Sequence, residues 1–190
     1  LWFNETPLDG WNGSAWVENI AYGDLHAYDR FITEREFGAV KRIFLAPAAT
    51  TFDPMVYRVV KTKDGIIRIV ESVNGDYAND TQTYQDSFLL VTATGTAKIY
   101  SKEETQRASG LAGDGVQALE ADTWAKVSRY SGFEGDEVTD VRHSIFSITL
   151  PGDVQVEKDW HIVTGGKQYE VMEKYETLLS NTVTARRYNG

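Results

Sequence analysis

Two short apolar runs, Met55–Lys61 and Ile66–Val70, flank an Asp64–Gly65 pair. Asp-Gly between β-branched runs is the strongest short-range hairpin signal, because a two-residue type I′ turn needs positive φ at both central residues. The pattern predicts strand, tight turn, strand, and so commits this stretch to an antiparallel sheet. The rest of the chain reads the same way. Tyr (10), Phe (8) and Trp (5) are plentiful, while long runs of helix formers at helical spacing are scarce. Such side chains suit a pleated, half-buried surface. The expected fold class is mainly β: a small β-barrel or sandwich core with long loops and one or two short helices.

Other elements follow from turn chemistry. Residues 1–23 look loop-like, with Asp9-Gly10 and Asn12-Gly13 as turn signals. Asp24–Leu45 is ambiguous, hinting at a helix near Leu25 and Tyr28 and a strand near Ile43. Phe88–Ala93 and Thr96–Tyr100 read as a strand pair about Gly95. Ser101-Lys102-Glu103-Glu104 fits a capping box, which points to a short helix over about 102–108. Leu119–Tyr130 is a short helix or a strand. His143–Leu150 alternates, and Val154–Val163 reads as a strand pair or one bent strand. Thr164-Gly165-Gly166-Lys167 is a tight hairpin turn, Gln168–Tyr175 the returning strand and Thr182–Tyr188 a last strand. No fixed-period repeat is visible.

The length of 190 residues suits one domain or two small ones. The expected division is an N-terminal β-rich region over 1–100, with a docking arm at 1–23, and a β-barrel-like region over 101–190. A single domain is the alternative, and any seam is expected near 101–116.

Composition excludes several classes. With no cysteine, the chain has neither a disulfide framework nor a thiolate nucleophile. A formal net charge of -9, with both halves mildly acidic, argues against broad phosphate-backbone binding. No apolar run reaches the roughly 18 residues of a membrane-crossing helix, so no membrane partner is expected.

Motifs of chemistry are weak. His26, His143 and His161 are widely spaced, with none of the i, i+4 pairing of a helical zinc site. Asn74, Asp76, Asn79 and Asp80 miss the spacing of a calcium loop, which needs a further acid downstream. Gly110, Gly113 and Gly115 match neither the dinucleotide fingerprint nor a P-loop. No nucleophile elbow is present. The expectation is a protein without catalytic residues, cofactor or metal.

The tryptophans carry two readings. They make a sugar-stacking platform, or they anchor an interface. Trp2, Trp11 and Trp16 lie in a segment with little core of its own, so they read as interface residues, together with Trp160.

The C-terminal third resembles a known family. His143–Leu150, Pro151-Gly152-Asp153, Asp159-Trp160-His161-Ile162-Val163 and Gly165-Gly166-Lys167-Gln168-Tyr169-Glu170-Val171 are similar to the head-closure, or stopper, proteins of tailed bacteriophages. In that family a strand leads to a Gly-turn, Tyr-x-Val hairpin, followed by a terminal strand with basic residues. Arg186 and Arg187 take that place here. The resemblance covers about 50 of 190 residues. It implies a small non-catalytic β-barrel, a virion protein found in the host cytoplasm during assembly. It implies a homo-oligomeric ring, usually a hexamer, between portal/adaptor and tail proteins. Packaged DNA passes through the channel without sequence-specific binding. On this reading Gly110 and Asp114, with Glu134, Asp136 and Glu137, are candidates for channel or docking contacts. The rival expectations are a carbohydrate-binding β-sandwich, on a virion tail or elsewhere, and a carboxylate hydrolase.

Overall fold

A computed structural model of the chain describes residues 6–27, 40–45, 52–74, 85–102, 117–129 and 145–187. Its regular structure is β throughout, and no helix occurs among the described residues. The chain divides into two compact units. One comprises Leu1–Ala93, Pro151–Asp153 and Thr177–Ser180; the other comprises Thr94–Leu150, Val154–Glu176 and Asn181–Gly190.

In the first unit, β1 (Thr6–Trp11), β2 (Trp16–Ala27), β3 (Val40–Leu45), β4 (Val59–Thr62), β5 (Ile67–Asn74) and β6 (Gln85–Thr92) close into a barrel in the order β1-β2-β3-β6-β5-β4. Every registered pair is antiparallel, and β4 closes the ring against β1. Alternation sends Leu8, Val60, Val70, Phe88 and Leu90 inward, where they pack with Ile20, Ala21 and Leu179. Closure leaves no unpaired sheet edge, which removes the hazard of edge-to-edge association.

In the second unit, β7 (Gly95–Lys102), β8 (Gln117–Arg129), β9 (Ile145–Pro151), β10 (His161–Thr164), β11 (Lys167–Glu176) and β12 (Ser180–Arg187) close in the order β10-β11-β12-β9-β8-β7. Ala97, Ile99, Ala125, Ile148, Leu150, Ile162, Tyr169, Val171, Val183 and Ala185 fill it, with Val154 and Val156. Ile148 and Leu150 are core residues and Phe146 packs against them, so the alternating face of this segment turns inward.

The two barrels have the same topology. Counted within its own unit, each runs first, second, third, sixth, fifth, fourth. The likeness extends to single positions. Val59–Thr62 and His161–Thr164 are buried in the same pattern, with the third residue alone half-buried. The Val70 N–H donates to the Arg58 carbonyl at 2.9 Å, and the Val171 N–H donates to the Trp160 carbonyl at 2.9 Å. In each barrel the register slips directly after that valine, between Val70 and Ser72 and between Val171 and Glu173. Arg68 lies opposite Val60 as Tyr169 lies opposite Ile162.

Several expectations are corrected. Within 1–23, Thr6–Trp11 and Trp16–Gly23 are barrel strands instead of a loose arm. The Asp9-Gly10 pair is no turn but sits where the register slips between Leu8 and Gly10. A Cβ on Gly10 would lie 2.5 Å from both Ile20 Cδ1 and Tyr57 Cδ1, so the glycine serves close packing. The extra residues are on β2, where Asn19 takes a left-handed φ of 53° and donates its N–H to Asp9 Oδ1 at 3.1 Å.

Met55–Arg58 does not extend β4. Asp53 accepts the Met55 N–H on Oδ1 and the Val56 and Tyr57 N–H groups on its carbonyl, which folds this stretch into a turn. The Asp64–Gly65 connection joins β4 to β5 as a hairpin, yet only Gly65 has positive φ (76°) and the Gly65 N–H donates to the Thr62 carbonyl at 2.8 Å. That is a longer loop ending in a left-handed glycine, not a type I′ turn. Gly165 and Gly166, at φ 56° and 69°, do meet the type I′ requirement. β6 and β7 are not partners, since each pairs within a different barrel. Residues 117–129 are a strand, and of 154–163 only His161–Val163 is strand. The helix expected over 102–108 lies, apart from Lys102 at the end of β7, outside the described residues.

Candidate interface residues

Trp11 and Trp16 are brought together by the β1–β2 hairpin. They are register partners, and Asn12-Gly13-Ser14-Ala15 joins them. The Asn12 side chain shapes that connection. Its Oδ1 accepts the Ser14 N–H at 3.0 Å, the Ser14 hydroxyl at 3.0 Å and the Ala15 N–H at 2.9 Å. Gly13 supplies the left-handed φ of 96° that follows. The two indole rings meet edge to face, 5.5 Å apart and inclined by 60°.

The cluster is electrostatically tied down. Lys61 Nζ sits 4.8 Å from the Trp16 ring centroid and 3.1 Å from Asp9 Oδ2. Both tryptophans are half-buried, while Asn12–Ala15 is exposed. The result is a braced aromatic tip on the first barrel, with an ammonium over one indole face.

Trp160 sits elsewhere. It packs against the core of the second barrel, just after Asp159, which holds a left-handed φ of 66°. Trp2, Gly110, Asp114, Glu134, Asp136 and Glu137 lie outside the described residues. His161 is buried on β10, and His26 lies on β2. Among the described residues no group of three or more His, Asp or Glu side chains is placed to hold a metal.

Two arginines of the first barrel were not singled out from sequence. Arg68 is 2% exposed. Its Nη2 meets Asp64 Oδ2 at 3.0 Å and its Nη1 meets Asp64 Oδ1 at 3.2 Å, with Nη1 also bonded to the Thr62 hydroxyl. Burial alone would raise the Asp64 carboxyl, but the Thr62 hydroxyl, the Ile66 N–H and Arg68 together hold it below its ordinary value. Arg58 lies toward the opposite end of β4, beside the turn at Pro151–Asp153. The Nε atoms of both arginines are buried without a hydrogen-bond partner among the described residues. An Arg-Val-Val or Ile-Arg-Ile string looks like ordinary strand, so nothing in the sequence marks either.

Exposed ion pairs dominate the second barrel. Arg186 Nε meets Glu170 Oε2 at 2.6 Å, and that carboxylate raises the arginine's already high pKa. Lys174 lies 2.8 Å from Glu176 and 2.9 Å from Glu157, which likewise raise it.

No protein-family model matches the chain, and no curated protein matches it.

Proposed function

We propose that this chain is a non-enzymatic structural protein of a tailed-phage neck, forming a ring between portal/adaptor and tail that helps retain packaged DNA. What carries the reading is the place of the C-terminal segment in the fold. The Gly-turn, Tyr-x-Val stretch that resembles the stopper family is the β10–β11 hairpin of a closed six-strand barrel. Tyr169 and Val171 are in its core, and Arg186 and Arg187 end the strand paired with them. The resemblance thus coincides with a barrel's framework and not with a surface loop.

The carbohydrate reading has less support. A sugar platform needs aromatic faces open to one plane, whereas Trp11 and Trp16 are inclined by 60° and Lys61 lies over Trp16. The acidic balance suits a channel past which DNA must slide, because repulsion prevents sticking.

Phage particles made without this chain are expected to be filled heads that leak DNA or fail to join tails. Particles that still join tails and hold their DNA would overturn the reading.

A further inference from the structure

The tip that joins Trp11 to Trp16 sets an asparagine beside a glycine in reactive surroundings. The backbone nitrogen after an asparagine can attack that residue's side-chain carbonyl carbon and close a succinimide ring. A glycine at the second position leaves this nitrogen unhindered, because it has no Cβ. The chain holds three such pairs, Asn12-Gly13, Asn74-Gly75 and Asn189-Gly190, of which the first alone lies wholly among the described residues.

Both partners of that attack are prepared at Asn12. Three donors converge on Oδ1, the atom that takes up negative charge as the nitrogen attacks: the Ser14 N–H at 3.0 Å, the Ser14 hydroxyl at 3.0 Å and the Ala15 N–H at 2.9 Å. Donors already aimed at a developing oxyanion lower the barrier, as in the oxyanion hole of an acyl-transfer enzyme. They are held in place because the Asn12 N–H donates to the Ala15 carbonyl at 3.2 Å and closes the loop. The nucleophile is free, since the Gly13 N–H makes no hydrogen bond among the described residues. Asn12–Ala15 is exposed, so hydroxide and water reach both atoms.

We propose that Asn12-Gly13 is a self-modifying site, at which the side-chain amide becomes a carboxylate without an enzyme and with water as co-reactant. Base removes the Gly13 N–H proton. The nitrogen bonds to Asn12 Cγ, and the carbonyl electron pair moves onto Oδ1 among its three donors. The pair then returns, the Cγ–Nδ2 bond breaks, and Nδ2 takes a proton and leaves as ammonia. Water opens the succinimide at either carbonyl, which leaves an aspartyl or an isoaspartyl link. Nothing is oxidised or reduced. The isoaspartyl form routes the main chain through Cβ and lengthens a loop that must hold Trp11 and Trp16 in register and edge to face. Conversion therefore loosens the aromatic tip and adds a negative charge to it. The site is a property of this hairpin and does not rest on the neck reading.

The test is incubation of the folded full chain in heavy-oxygen water, at neutral and at mildly alkaline pH, followed by peptide mapping. Asn12 is expected to convert to aspartyl and isoaspartyl forms that carry heavy oxygen, with release of ammonia and faster at the higher pH. Ser14→Ala keeps the backbone donors and removes the hydroxyl. It is expected to slow conversion roughly threefold to tenfold, less than a water-excluded oxyanion donor is worth, because water competes at this exposed tip. Near-UV circular dichroism is expected to lose tryptophan signal as the isoaspartyl fraction grows, whereas Asn12→Asp keeps it, since a carboxylate accepts the same three donors. An Asn12 that stays intact in the folded chain, while the same pair converts in chain unfolded by denaturant, would overturn the proposal. So would a folded Ser14→Ala variant that converts as fast as wild type, or an isoaspartyl-rich sample with an unchanged tryptophan signal.

Discussion

The two barrels share a strand order and a set of backbone details, yet they distribute polarity in opposite ways. At two matched interior positions the first barrel places Arg58 and Arg68, and the second places Trp160 and Tyr169. On the matched outward row the first places Val59, Ile69 and Val91, and the second places His161, Glu170 and Arg186. The topology is therefore not held by the identity of these side chains. It is held by the alternation of strands, by a left-handed glycine at each β4–β5 and β10–β11 turn, and by a register slip after the same valine. The side chains have to meet a weaker condition. What turns inward is apolar or brings its own partner, as Arg68 brings Asp64, with Arg58, whose nearest carboxylate oxygen lies 3.9 Å away on Asp153, as the exception.

That condition supplies the largest expected effect. Asp64→Ala leaves Arg68 buried and uncompensated, which is expected to cost the first barrel about 2–3 kcal/mol. Arg68→Met removes the buried charge altogether and is expected to cost less, because Asp64 is half in water. If Arg68→Met proves the more damaging, the interior arginine is contributing packing that the second barrel obtains from Tyr169. Chemical denaturation of the variants, with hydrogen exchange at β4–β5 to locate the loss, makes the measurement. Acid offers the same comparison without mutation. Asp64 titrates below its ordinary 3.8 in the folded chain, so its stabilisation is complete above that value. It disappears as pH falls through the folded value, when the carboxyl must take a proton. Protection of β4–β5 amides should accordingly decline below pH 3.8, and Asp64→Asn should lack that decline.

The same contrast explains what was legible in the sequence. Hairpins announced by glycine were visible, because positive φ restricts residue choice: Gly65 and Gly166 both mark real turns. The β1–β2 hairpin was half legible: Asn12-Gly13 marks its real turn, whereas Asp9-Gly10 has the letters of a turn although Gly10 is there to admit Ile20 and Tyr57. The pairing of Trp11 with Trp16 across that turn was hidden because the residues on either side of it read as loop and not as strand. Met55–Arg58 looked like strand because its apolar letters say nothing of the Asp53 carbonyl that bends them. The repeat of the whole barrel was invisible for the reason already given: its matched positions exchange arginine for aromatics, and valine or isoleucine for His, Glu and Arg. Only geometry aligns them.

The turns provide an intermediate effect. The second barrel's hairpin needs left-handed φ at both Gly165 and Gly166, while the first barrel's loop needs it at Gly65 alone. Nothing lies within 4 Å of a Cβ built on any of the three, so backbone strain and not crowding decides the outcome. Gly165→Ala is expected to cost about 1–2 kcal/mol, the penalty of a left-handed alanine. Asp64→Gly in the first barrel would not be a fair counterpart, since it also strips Arg68. Lys63→Ala is the better one: Lys63 has no positive φ, and its replacement should fall within about 0.5 kcal/mol. A comparable loss at both sites would mean that the two turns are constrained alike, against their φ values.

The outward rows should show the smallest effect. Glu170 and Arg186 form a 2.6 Å ion pair, but Arg186 is 47% exposed, so water and salt screen the attraction. Glu170→Gln keeps the shape of the side chain and removes its charge. It is expected to cost less than about 1 kcal/mol at low ionic strength, and the difference from wild type should shrink further in 1 M salt. The matched pair in the first barrel, Ile69 opposite Val91, has no charge to screen, and the corresponding Ile69→Val change should be insensitive to salt. A large, salt-resistant loss in Glu170→Gln would show that this carboxylate is desolvated, and the outer face of the second barrel would then resemble the first barrel's buried row more than its residues suggest.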